Sequence, residues 1–204
     1  SKRLAKMIKE DLLDILVELG NVDETKRILQ RVGASDVYAS LLERMAYAKI
    51  EAGDASGAYK LFGLAIKENP TGSRNLVLSS NMVALAGQLN NVPLVTNNLK
   101  VMVSNYARPK SKWWKKQSKA VRKRALKEVE NVLYEYSTSI DRIGRDQNNP
   151  DALSSASALY AIFVKTFPKS KRAYELEYYR AQIIYSQGQQ LAASQALRKL
   201  ILSL

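Results

Sequence analysis

Residues 39–72 read ASLLERMAYAKIEAGDASGAYKLFGLAIKENPTG, and this stretch decides the fold. Leu42, Met45, Ala46 and Ile50 recur at the spacing of one helical face. Gly53 and Asp54 break the pattern, glycine suiting a helix C-terminus and aspartate the cap of the next helix. Ala58, Phe62, Ala65 and Ile66 form the apolar stripe of that second helix, and Asn69-Pro70 stops it. Ala58 and Ala65 matter most, because small residues on an inner stripe let a neighbouring helix come close. A lone helical hairpin leaves apolar surface uncovered, so the unit needs similar units beside it.

The rest of the chain supplies them. Residues 2–33 carry Leu4, Ile8, Leu12, Ile15, Leu16 and Leu19 on one helical side and a turn at Gly20-Asn21. A second helix with Ile28, Leu29 and Val32 follows, for which Asp23 is the expected cap. Gly20 and Gly53 stand 33 residues apart, and Asp36 is the expected cap of the unit that begins there. Residues 74–108 repeat the form, with Leu78, Met82, Leu85 and Leu89, a turn at Asn90-Asn91, and Pro93 in the first turn of a helix carrying Val95, Leu99 and Met102.

Residues 111–168 are less regular. Val121, Leu126, Val129, Leu133, Tyr136, Ile140 and Ile143 predict one long helix, beginning between Ser111 and Ser118 and ending near Arg145. Asn148 to Asp151 breaks it, and Leu153, Ala156, Leu159, Tyr160 and Phe163 pack inward from the next helix. A last hairpin spans 171–204, with Tyr174, Tyr178, Ala181, Ile184 and Tyr185, a turn at Gly188, then Ala193, Leu197 and Leu200. The expectation is an all-α solenoid of about five hairpins and ten helices, one unusually long near 111–146, forming a single domain over 1–204.

Composition bounds the chemistry. There is no cysteine and no histidine, which excludes disulfides, thiolate nucleophiles, imidazole bases and cysteine- or histidine-ligated metals. The acids lie at helix ends and on polar faces, as in Glu10-Asp11 and Glu128-x-Glu130, and no Gly-rich phosphate loop follows a strand. The reading is not an enzyme, with no cofactor and no metal. No apolar run reaches membrane-spanning length. The chain begins at Ser1 without Met and stops within an apolar pattern at Leu204, so it is read as an excised fragment or a processed chain, from which any targeting segment or lipid anchor has been cut away.

The net charge of +13 is concentrated in one place. Residues 105–127 hold 10 basic side chains and no acidic one, whereas residues 1–104 hold 13 basic and 11 acidic. Arg108, Lys110, Lys112, Trp113, Trp114, Lys115, Lys116, Lys119, Arg122, Lys123 and Arg124 make this the candidate basic and aromatic partner site. Such a cluster can track a phosphate backbone while bases stack on Trp. It can settle on an anionic lipid surface. It can dock an acidic protein with Trp as anchor. The structural alternative is that one Trp belongs to the core and the lysines solvate a helix start.

The hairpin at 39–72 resembles a tetratricopeptide repeat (TPR). Ala46 stands where the first helix of that family takes a small residue, and Ala58-x3-Phe62-x2-Ala65-x4-Pro70 matches the second helix and its stop. Leu42 and Lys49 depart from the aromatic residues of the pattern, and Thr25 and Val95 stand in for the small residue in other units. The last hairpin matches through Ala181, Gly188, Ala193 and Leu197. The run from Tyr160 to Ala193 looks like periplasmic repeat proteins of Gram-negative bacteria, including outer-membrane assembly lipoproteins and the Tol-Pal-associated repeat protein. YARPKSKWW before the long helix is similar to repeat proteins of gliding and predatory bacteria.

The resemblance implies a scaffold that binds a protein or peptide, an acidic one among the candidates, in a groove lined by the first helices. Tyr174, Tyr178, Tyr179 and Arg180 are then groove candidates, with packing between repeats as the alternative. It also implies a periplasmic or outer-membrane-associated setting, in motility or outer-membrane machinery, with the cytoplasm as alternative. The competing function is a basic module for nucleic acid, anionic envelope polymer or lipid through residues 108–124.

Overall fold

The structure is a computed structural model that describes residues 2–202, without the side chains of residues 2–9 and 199, so the expectations for Leu4 and Ile8 lie outside the described residues. The fold is all-α. Eleven α-helices and one short 3₁₀ turn are present among the described residues, and no strand. They are α1 (Lys2–Leu19), α2 (Val22–Arg31), α3 (Tyr38–Glu51), α4 (Ala55–Glu68), α5 (Asn75–Gln88), α6 (Val92–Tyr106), α7 (Lys112–Lys116), α8 (Lys119–Asp146), α9 (Pro150–Thr166), α10 (Lys171–Ser186) and α11 (Gln190–Ile201). The chain divides into two compact units, Ser1–Leu89 and Asn90–Leu204.

One local device recurs at the turns. Gly20, Gly53, Asn90, Asn148 and Gly188 all have positive φ, the left-handed conformation that ends a helix. At four of the five the next residue is Asn or Asp, and its side chain caps the following helix. Asn21 accepts from the Glu24 N–H at 3.0 Å, Asp54 from Gly57 at 2.8 Å, Asn91 from Leu94 at 2.9 Å and Asn149 from Ala152 at 3.1 Å. At the fifth, Gln189 makes no such bond. The expected caps Asp23 and Asp36 are corrected: Asn21 caps α2, and Asp36 lies in the 3₁₀ turn Ser35–Val37 ahead of an uncapped α3.

In the first unit, α3 and α4 pack as the opening hairpin requires. Ala46, Ala58, Phe62 and Ala65 are buried, and the Tyr47 ring meets Phe62 edge-on at 5.2 Å. Ile50 lies past the end of this contact and is exposed. On α1 the inward face is Leu12, Leu13, Leu16 and Val17, which leaves Ile15 and Leu19 exposed instead of buried as expected.

In the second unit, α6 packs on α8 and α9, and α9 lies between α8 and α10. The 28 residues of α8 span about 42 Å. The expected long helix is α8, starting at the late end of the expected range, and a separate short helix, α7, precedes it. Ser111 caps α7, Gln117 is extended, and Ser118 caps α8. The break aims Trp113 into the core, where it meets Tyr106 edge-on at 4.9 Å. On α10 the buried residues are Ala173, Leu176, Ala181 and Ile183, so Tyr174, Tyr178 and Tyr185 face water rather than the core.

Candidate functional site

α8 and α10 both pack on α9 and meet one another through side chains, leaving a trough between them. Along α8 the trough-facing residues follow the i, i+4 row Leu126, Glu130, Tyr134, Thr138 and Arg142. Across its middle, the Tyr134 hydroxyl donates to Glu175 of α10 at 3.3 Å, the Arg172 guanidinium sits 4.3 Å from the Tyr134 ring, and Arg172 donates to Asn131 at 2.9 Å. Tyr179 donates to the other oxygen of Glu175 at 2.8 Å.

Towards the C-terminus of α8 the trough widens into a cavity of about 340 Å³. Thr138, Asp141, Arg142 and Arg145 line it from α8, and Tyr179 and Gln182 from α10. Its floor is Tyr160 of α9, which is wholly buried. Asp141, also buried, accepts the Tyr160 hydroxyl at 2.9 Å and the Arg145 Nε–H at 2.7 Å. A buried carboxylate needs such donors, since an unpaired charge there is costly.

The titration behaviour follows from this geometry. Burial pushes the Tyr160 phenol well above its usual range, and the Asp141 charge adds to it. The hydrogen bond to Glu175 raises the Tyr179 phenol, while burial is the main cause for Tyr134. The bond to Asp141 raises the Arg145 guanidinium further, so it stays cationic.

Asp141 and Glu175 are thus both saturated by donors. The Arg142 and Gln182 side chains line the cavity without a hydrogen bond to another described residue. The arrangement offers two free side-chain donors, the Tyr179 ring and the acceptor Asp146 above the buried Tyr160. That chemistry suits holding a polar segment in place.

The structure distributes the residues singled out in the sequence. Tyr179 lies in the trough. Tyr174 and Tyr178 are exposed on α10, and Arg180 pairs with Glu177 at 2.8 Å. Arg108 and Lys110 are exposed ahead of α7, Lys112, Lys115 and Lys116 on it, and Lys119, Lys123 and Arg124 on the first turns of α8. Trp113 is only 2% exposed and belongs to the core. Trp114 is half-buried, with Arg122 5.8 Å from its ring. Arg122 also donates to the backbone carbonyls of Trp114 at 2.9 Å and Lys115 at 3.3 Å, and so ties α7 to α8.

Sequence reading missed Asp141, Arg145 and Glu175, and it placed Tyr160 in the core without its bond to Asp141. The signal was present in part: Ser137 and Asp141 follow Leu133 at successive i+4 steps, placing polar groups where the stripe calls for apolar ones. No described helix is long and apolar enough to cross a membrane. Neither a protein-family model nor a curated protein sequence matches the chain.

Proposed function

We propose that the chain is a TPR-like helical-repeat scaffold that binds a segment of a partner protein in the trough between α8 and α10. The observation that carries this is the cavity over Tyr160, where Arg142 and Gln182 present unspent donors beside Tyr179. The residues around it are fixed by the Asp141–Arg145–Tyr160 and Tyr134–Glu175–Tyr179 bonds, so little side-chain freedom is lost on binding. The resemblance of the 160–193 run to periplasmic repeat proteins supports an envelope setting, in motility or outer-membrane machinery.

The competing reading, a nucleic-acid or anionic-polymer module over residues 108–124, has less support. Base stacking needs open aromatic faces. Trp113 is in the core and Trp114 is covered on one side by Arg122.

Selection of a displayed random-peptide library on the whole chain tests the trough. Enriched peptides are expected to lose about tenfold or more in affinity on Arg142→Ala or Gln182→Trp, and nothing on Val101→Ala, an exposed α6 position. No enrichment, or binders indifferent to both trough variants, overturns it.

A further inference from the structure

Folding brings a second group of cations to the basic end of α8. Leu126 and Glu130 share a cleft of about 650 Å³ with Phe167, Pro168 and Lys169 of the α9–α10 connection and with Lys171 and Arg172 at the start of α10. Lys123 and Lys119 lie three and seven positions before Leu126, on the same side of the helix. Lys169, Lys171 and Arg172 thus line a largely apolar recess, and Lys119 and Lys123 continue the positive charge along α8 from Leu126. None of Lys119, Lys123, Lys169, Lys171 and Arg172 is in an ion pair within 4 Å among the described residues. The one acid, Glu130, accepts the Ser170 hydroxyl. The cleft lies about 22 Å along α8 from the cavity at Asp141.

We propose that this cleft docks an acidic segment of a partner protein through one apolar anchor side chain, which enters between Leu126 and Phe167 while its acidic neighbours meet the five cations. Charge complementarity sets the sign of the partner. The recess sets the anchor. Leu126 is 36% exposed although it is a large apolar residue in the middle of a lysine- and arginine-rich turn. A phosphate backbone has nothing to place in an apolar pocket. The only ring lining it, Phe167, is already packed against Phe163 at 5.4 Å, which removes a stacking platform. A membrane surface calls for protruding apolar groups, and here they are recessed. The cleft is the other end of the same α8–α10 trough, and it shares no lining residue with the cavity over Tyr160.

Fluorescence anisotropy on the whole chain tests it with a labelled peptide that alternates Glu and Ser around one central Phe. Controls are the same peptide with Ala for Phe, the same with Gln for Glu, an oligo-uridylate and phosphatidylglycerol vesicles. The Phe peptide is expected to bind about tenfold or more tighter than the Ala peptide. Leu126→Arg fills the recess while keeping the positive field, so it should reduce the Phe peptide to the Ala level. Lys169→Glu with Lys171→Glu should weaken both peptides together, and Arg142→Ala should change neither. Equal binding of the Phe and Ala peptides overturns the proposal. So does tighter binding of oligo-uridylate or vesicles that is unaffected by Leu126→Arg. Circular dichroism of Leu126→Arg, a helix-favouring change at a partly exposed site, separates lost binding from lost fold.

Discussion

Tyr160 donates its phenolic hydrogen to Asp141 Oδ2 at 2.9 Å across the α8–α9 interface, and both residues are withdrawn from water. Tyr160→Phe removes one donor and leaves Arg145 holding the carboxylate. The expected loss is about 1 kcal/mol in denaturant unfolding. Asp141→Ala should cost more, because it strands two donors. The pH dependence has a definite sign. A phenol whose folded value is raised stabilises the fold fully below its unfolded value of 10.0, and that stability is lost as pH climbs from there towards the folded value. Alkaline unfolding above about pH 10 should therefore be shallower in Tyr160→Phe than in the parent.

Two glycines should respond with opposite signs. A Cβ at Gly144 would lie 2.8 Å from Leu153 side-chain atoms and 3.0 Å from the Leu153 backbone nitrogen of α9, so Gly144→Ala forces the helices apart. The expected cost is about 1–3 kcal/mol. At Gly63 the nearest atom is Met82 Cε at 3.6 Å, an ordinary contact. Gly63→Ala should stabilise by about 0.5–1 kcal/mol through helix propensity. Urea unfolding of the two variants checks both signs.

The adjacent tryptophans should behave as different residues. Trp113→Ala leaves a large void against Tyr106 and should cost about 3–5 kcal/mol. Trp114→Ala should cost clearly less, because that indole is only partly buried. Iodide should quench only the Trp114 share of the emission, and more strongly than a cationic quencher does, since Lys112, Lys115 and Lys116 surround it in sequence.

Thr25 and Thr96 bury hydroxyls that find no hydrogen-bond partner among the described residues. Thr25→Val keeps the shape and deletes the orphan group. Chemical denaturation should show a gain of about 1 kcal/mol.

The repeat architecture was legible because its determinants are local. A residue able to enter the left-handed region, followed by Asn or Asp, ends one helix and caps the next within a few positions of chain. Ala46, Ala58 and Ala65 mark close contacts for the same reason, since a small side chain is visible wherever its partner lies. The candidate site was less legible. Tyr179 was singled out with Tyr174 and Tyr178 because first helices line the groove in the resembled family, yet Tyr174 and Tyr178 face water outside the trough. Periodicity could not expose Trp113 as core, because the chain breaks at Gln117 and α7 has its own orientation.

By itself the sequence determined an all-α chain of helical hairpins, the turn at each, and one segment carrying most of the net charge. These follow from backbone conformation, capping and composition, all set over a few neighbouring residues. Only the tertiary structure decided that Asp141, Arg145, Tyr160, Tyr179 and Glu175 share one trough, and that Lys169, Lys171 and Arg172 close around Leu126 with the basic start of α8. Those groupings join α8 to residues as many as 53 positions away. They depend on how α8 and α10 are spaced on α9, which is fixed by contacts such as Gly144 on Leu153 that no local pattern encodes.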